Sequence, residues 1–284
     1  MKSSNKKILI ILGNLLIVCL ILLFIVRQTE SQDLLEVIFF DVGQGDSILI
    51  KTPSHHTILI DGGPGTSVVS KLGNHLPFYQ QKIDLIILTH AHEDHLAGLI
   101  GVVNKYEVGQ VIYSDVKYSS SSYKEWQSIM EIKDMIVTEP IFGQEYKFGE
   151  VALEILYPFD KYEETPEDIN DTSVVSKLIY QDTSFLFTGD ASIDVEEKLL
   201  ENNIDINSNV LKVAHHGSKY SSSFDFLEAV DPDYAVIQSG EGNSFGHPHK
   251  LTLNKLNGYN IEIFRNDEIG DVIITSDGEE VWVE

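Results

Sequence analysis

The chain has 284 residues, with 43% hydrophobic and 23% charged, so one sizeable core is expected. Formal net charge is -24, and because Lys2, Lys6, Lys7 and Arg27 precede the first acid, the rest carries 16 bases against 44 acids. So acidic a surface excludes a tight, non-specific nucleic-acid binder, though not a hydrolase meeting one phosphodiester at a metal centre. The single cysteine, Cys19, excludes an intramolecular disulfide and a thiolate metal site beyond the N-terminal run.

From Ile8 to Val26 there is no charged residue. These nineteen residues, at about 1.5 Å each, reach roughly 28 Å, near the thickness of the hydrocarbon layer. The lysines before them place residues 1–7 in the cytoplasm and the bulk of the chain outside. A cleavable signal peptide is the rival, but Val26-Arg27-Gln28-Thr29-Glu30 offers no small-residue cleavage site, which favours an uncleaved anchor over 8–26. Residues 27–33 read as a polar linker and 34–284 as the soluble domain.

That domain opens with three predicted strands, Leu35–Phe40, Ser47–Lys51 and His56–Ile60, joined by Gly-rich turns. A helix over Val68–Leu76 precedes a strand over Asp84–Leu88 and a helix over Leu96–Tyr106. Next come a strand at Val111–Tyr113, a helix over Tyr123–Lys133 and a strand pair within Tyr146–Leu156. An acidic loop, Asp160–Asp171, leads to a hairpin of Val174–Tyr180 and Ser184–Phe187. After it stand a helix over Val195–Asn202, strand Val210–Val213, helix Phe224–Val230, strand Tyr234–Gln238 and a helix opened by Gly246-His247-Pro248-His249. Strands near Asp271–Thr275 and Glu280–Val283 close the chain. The order, strands first and then strands alternating with helices, occurs twice. It suits an α/β fold of two face-to-face sheets with helices outside, whose polar clusters converge at strand ends.

The densest cluster is His90-Ala91-His92-Glu93-Asp94-His95. Crowded imidazoles each need a partner when buried, and a metal ion supplies one, with a carboxylate as the harder donor. Asp190 ends an apolar strand after a glycine; it serves either as a carboxylate bridging two cations or as a helix N-cap. His215 and His216 come directly after another strand. Neighbours on a strand point to opposite faces, so one of them is a ligand and the other meets substrate or supports a ligand. His247 opens a helix, where it contacts a phosphate or acts as a cap.

The pattern His-x-His-x-Asp-His resembles the signature of the metallo-β-lactamase superfamily. That resemblance implies a four-layer αββα sandwich and two divalent metal ions, with His90 and His92 on the first and Asp94 and His95 on the second. It narrows at Asp41-Val42-Gly43-Gln44-Gly45-Asp46-Ser47. Together with Asp61-Gly62-Gly63, Thr188-Gly189-Asp190, Leu211 to Ser218 and Gly246-His247-Pro248, this stretch is similar to the hydrolase module of the ComEC family of DNA-uptake channel proteins. The likeness runs from about Leu35 to the C-terminus. It implies a membrane-anchored, outward-facing hydrolase acting on a phosphodiester, with single-stranded DNA as the suggested substrate.

One departure bears on the chemistry. Many members place a histidine between the first cluster and the Gly-Asp, and here none lies between His95 and His215. Asp171, or else Asn170, is the expected replacement. That exchange argues against lactam hydrolysis and makes manganese as plausible as zinc. The expected metal set is therefore His90, His92, Asp94, His95, Asp171, Asp190 and His215. Asp94, His215, His216 and His247 are expected to act on water, substrate or leaving group. A small envelope phosphodiester, a lactone or lactam ester, and a non-catalytic metal-bound module are the competing functions.

Overall fold

In the computed structural model of the chain, residues 2–30 and 34–284 are described, with side chains described for 6–24 and 34–284. Residues 31–33 of the expected linker, and Met1, lie outside the described residues. Helix α1 (Lys2–Glu30) is apolar and, by length and composition, sufficient to cross a membrane over Lys6–Phe24.

The first sheet begins as an antiparallel meander, β1 (Leu35–Phe39), β2 (Ile48–Lys51) and β3 (Thr57–Ile60). It then turns parallel. Helix α2 (Ser67–His75) leads to β4 (Lys82–Ile87), α3 (Glu93–Lys105) to β5 (Glu107–Ile112), and α4 (Ser121–Ile132) to the short β6 (Val137–Thr138). The second sheet repeats the plan. Strands β7 (Glu145–Phe148), β8 (Val151–Tyr157), β9 (Val175–Tyr180) and β10 (Thr183–Phe187) are antiparallel. After α5 (Ile193–Glu201), α6 (Phe224–Val230) and α7 (Lys250–Gly258) come the parallel β11 (Val210–Lys212), β12 (Tyr234–Ile237) and β13 (Glu262–Arg265). A short α8 (Asn266–Ile269) returns the chain to the first sheet, where β14 (Val272–Ser276) pairs with β1 and β15 (Val281–Val283) forms the edge.

Three apolar clusters give four layers. Alternate residues of the strands point to opposite faces. Val37, Phe39, Ile58 and Ile60 therefore meet Leu153, Phe185 and Phe187 between the sheets. Their neighbours Ile38, Phe40 and Leu59 pack under α2, α3 and α4 against Leu99 and Trp126. On the far side Leu186, Leu211 and Ile237 lie under Val195, Phe226 and Leu256 of α5, α6 and α7. Strands covered on both faces read as continuous apolar runs, which is why β1, β4 and β10 are plain in the sequence.

Several elements depart from expectation. Edge strand β13 is mixed apolar and charged and only partly buried, so it lacks that run. Strand β6 is two residues long. Part of the predicted loop before β9 is a 3-10 turn over Ile169–Thr172, capped by Asp168 accepting from Asn170 N at 2.9 Å.

All the parallel strands end on one rim, and the antiparallel turns 41–46 and 61–63 reach it from β1 and β3. There the backbone of Gly62 crosses α3. Gly62 N donates to His95 O at 2.7 Å, and Gly98 N donates to Gly63 O at 2.9 Å. A Cβ on Gly98 would lie 1.8 Å from Gly62 O, so only glycine permits this approach. The crossing fixes the first turn of α3, and with it His95.

Candidate metal centre

Strand β4 ends at Ile87, and the chain then leaves the sheet through Leu88 and Thr89. His90 points into the rim with only 3% exposure. His92 holds the N-cap position of α3, so Asp94 and His95 fall in its first turn. Asp190 comes after β10, and its backbone N donates to Ser173 Oγ at 3.0 Å. His215 and His216 follow the strand, as expected, but not as extended neighbours. They form a left-handed turn after β11, with φ of 50° and 55°. The turn still divides the pair: His216 is buried and His215 keeps 28% of its side chain exposed.

Asp190 Oδ2 is the hub. His95 Nε2 and His216 Nε2 each lie 3.4 Å from it, His215 Nε2 3.8 Å and His90 Nε2 3.9 Å. His216 Nε2 is also 3.3 Å from Asp94 Oδ2, and His90 Nε2 is 3.0 Å from His92 Nδ1. Donors around an ion at tetrahedral bonds of about 2.1 Å sit about 3.4 Å apart, so the spacing fits ions between these atoms. Among the described residues, the groups able to hold an ion include His90, His95 and Asp190; Asp94, His95 and His216; and Asp46, Asp190 and His216. His95 Nε2, His216 Nε2 and Asp190 Oδ1 are buried without a hydrogen-bond partner. Two orphaned Nε2 atoms facing one carboxylate are costly unless a cation completes them.

Behind these atoms stands a second ring. Asp61 is fully buried and accepts from His95 Nδ1 at 2.7 Å, Thr89 N at 2.8 Å and Thr89 Oγ1 at 2.7 Å. His216 Nδ1 lies 2.8 Å from Gln238 O and 3.2 Å from Asp46 Oδ1. Both rings are thus gripped at Nδ1 with Nε2 left facing the hub, an arrangement that fixes tautomer and aim. Asp46 in turn pairs with Lys212 Nζ, which also donates to Gly189 O at 2.8 Å. Gly45, beside it, is packed so closely that a Cβ would meet Asp94 O at 2.2 Å.

The sequence did not single out Asp46, Asp61 or Lys212 as site residues. Each is a charged residue closing an apolar strand, or its turn, on the histidine rim, and that was the available signal. Asp171 stands apart from the donor groups: its Oδ1 accepts from Ser192 Oγ at 2.5 Å. Asn170 is buried with Oδ1 unpartnered. His216, rather than His215, occurs in the donor groups. His247 lies at the solvent side, its ring 5.5 Å from that of His215.

Charge divides the histidines. Burial drives His90 well below its ordinary range, with His95 adding to the effect. Burial likewise lowers His92 and His215, and takes His247 down to about 4. Burial also opposes charge on His95 and His216, but Asp190 with Asp61, and Asp190 with Asp46, outweigh it and raise both well above. Asp190 and Asp46 are buried too, yet His216 and His95 on the first, and Lys212 and His216 on the second, hold them low. Asp61 is raised, because burial exceeds the help from His95.

The family model described as the metallo-beta-lactamase superfamily matches residues 40–241. The chain is 28% identical to ComE operon protein 3 of Bacillus subtilis, over 93% of this chain and 36% of that protein. It is also 28% identical to the competence protein ComA of Neisseria gonorrhoeae, over 82% of this chain and 31% of the relative. The chain thus spans about a third of the curated relatives it matches. Among solved structures, the metallo-beta-lactamase fold protein YhfI of Bacillus subtilis superposes with a TM-score of 0.55 at 13% identity, over 88% of this chain and all of that one.

Proposed function

Because this chain belongs to the metallo-beta-lactamase superfamily, we propose that it is a metal-dependent phosphodiesterase with single-stranded DNA as its substrate, anchored through residues 8–26 and facing outward. The observation that carries the reading is the convergence of four imidazole Nε2 atoms on one carboxylate oxygen of Asp190. His90, His92 and Asp190 would hold one divalent ion, and Asp94, His95, His216 and Asp190 the other, zinc or manganese. Such a pair of ions supplies Lewis acidity to phosphoryl oxygens and lowers the pKa of water.

The residues themselves do the orienting. Asp94 keeps 31% of its side chain exposed, so its carboxylate reaches both the hub and incoming solvent and can align a water for attack. His215 and His247 are held neutral by burial, their rings 5.5 Å apart beside the hub, and each carries one N–H. Neutral donors there steady a developing oxyanion without binding the anionic product tightly. The DNA reading draws on the competence proteins the chain resembles. The acidic surface supports a second substrate, a small envelope phosphodiester, because binding then rests on the rim alone.

The test strips metal from the full chain in detergent, restores manganese or zinc, and monitors cleavage of single-stranded DNA, with Asp94→Ala as control. Metal-dependent cleavage lost in the variant supports the proposal. Bound metal without cleavage moves the substrate to the small phosphodiester, and no bound metal refutes the enzyme.

A further inference from the structure

Outside α1, the two most exposed large apolar side chains are Phe78, 93% exposed, and Ile132, 79% exposed. Phe78 stands beside Tyr79, itself 63% exposed, their rings edge to face at 5.4 Å. They form an uncharged tip, Leu76-Pro77-Phe78-Tyr79-Gln80-Gln81, between α2 and β4. An apolar tip this bare in so acidic a chain calls for a partner.

Topology says which way the tip points. Strand β4 starts at Lys82 just after the tip and runs to the histidine rim, so the tip lies at the opposite end of the sheet. Gln80 Nε2 donates to Thr57 Oγ1 at 2.5 Å, which holds the tip to the start of β3. A cleft of about 390 Å³ at this end is lined by Leu34, Glu36, Lys51, Pro77 and Tyr79. The chain therefore enters the domain, at Leu34, next to the aromatic tip. Ile132 closes α4, which runs from the rim toward this end, and Lys133 Nζ next to it reaches Val103 O in the last turns of α3 at 2.7 Å.

The distance available is short. Between Val26 and Leu35 the chain spans at most roughly 24 Å, from four helical steps at about 1.5 Å and five further steps at their full reach of about 3.6 Å. With α1 in the bilayer, as the proposed function has it and on which this inference rests, the tip end stays at the membrane surface. Two lysines flanking it are paired, Lys51 with Glu36 at 2.5 Å and Lys82 with Asp84 at 2.6 Å. An uncharged tip with aromatic rings suits the interface of a neutral bilayer, where such rings gather, and not electrostatic attraction to anionic lipid.

We infer that Phe78 and Tyr79 dip into the lipid interface as a second contact beside the anchor. The metal centre then faces away from the membrane, about 25 Å off along the eight steps from Lys82 to His90. Substrate would approach from the aqueous side.

The test uses the full chain in phosphatidylcholine vesicles containing a lipid with a quencher at a shallow acyl position. The tryptophan variants F78W and F245W are compared with the parent chain; Phe245 is 68% exposed and lies on the rim loop near His247. The expected result is that most of the emission added by F78W is quenched and blue-shifted, while that added by F245W is neither. Co-flotation of the chain with an F78W signal as unquenched as that of F245W overturns the inference alone. Failure of the chain to float with the vesicles overturns the anchor and this contact together.

Discussion

Replacing Lys212 with Met should destabilise the protein even though no substrate or metal is involved. The ammonium is fully buried, pairs with Asp46, donates to Gly189 O at 2.8 Å and stands 3.8 Å from Asp190 Oδ1. Methionine fills the same stem but leaves Asp46 a buried anion supported by His216, 3.2 Å away, and His95, 3.9 Å away. Breaking one side of a buried pair costs about 3–5 kcal/mol, and the retained histidines put this case at the lower end. One kcal/mol moves Tm by about 2–4 °C in a domain of this size, so K212M should lower Tm by about 6–12 °C. The double variant K212M/D46N removes both charges and should melt above the sum of the single changes, with a coupling of about 1–3 kcal/mol. Thermal and urea unfolding of the metal-chelated full chain in detergent measures all four corners of the cycle. A K212M midpoint within about 2 °C of the parent, or strict additivity in the double variant, would refute the view that the lysine holds the centre's acids in place.

Asp61→Asn weakens the grip on His95 Nδ1 and should cost about 10–100-fold in metal affinity by calorimetry while the circular dichroism spectrum stays unchanged. The metal-free protein should be most stable near pH 6.5. His95 and His216, raised in the fold, lose their contribution as pH climbs through their folded values; His90, His92, His215 and His247, lowered in the fold, lose theirs as pH drops below the ordinary histidine value. A flat Tm profile across that region would contradict these charge states. Gly98→Ala places a Cβ 1.8 Å from Gly62 O, and should cost more than the about 1–3 kcal/mol of ordinary overpacking and weaken metal binding with it. Gly101→Ala meets only Val69 Cγ2 at 3.1 Å, so helix propensity offsets it and its Tm should stay near the parent's.

Much of this molecule can be read from its chain because the informative features are local. Strands buried on both faces leave unbroken apolar runs, and the αββα layering results from the order of those runs. The candidate donors His90, His92, Asp94 and His95 lie within six residues, so proximity in the sequence stands for proximity in space. The illegible part is assembled over distance. Asp46 and Asp61 come from two turns and Lys212 from the end of β11, and only the folded structure shows that their charges share one rim. The backbone at His215 and His216 escapes a strand-based reading because a left-handed turn without glycine at either position has no composition signal. Asp171 has the chemistry of a donor, yet its Oδ1 accepts from Ser192 Oγ and it falls outside the donor groups, and sequence spacing does not reveal which partner a carboxylate oxygen takes.

The charges around the hub also explain why the histidines differ. Four carboxylates, Asp46, Asp61, Asp94 and Asp190, gather about one ammonium, Lys212. With every imidazole neutral that is an excess of three negative charges, and the metal-free fold relieves it by keeping protons on His95 and His216. Those rings are also the two whose Nε2 atoms have no hydrogen-bond partner. A divalent ion there must therefore exchange with protons, and its binding should release them in increasing number as pH falls toward neutrality from above. Calorimetry in buffers of different ionisation enthalpy counts that release. Zero protons released at neutral pH would mean that the histidines are already neutral, and that the acids at the hub are balanced in some other way.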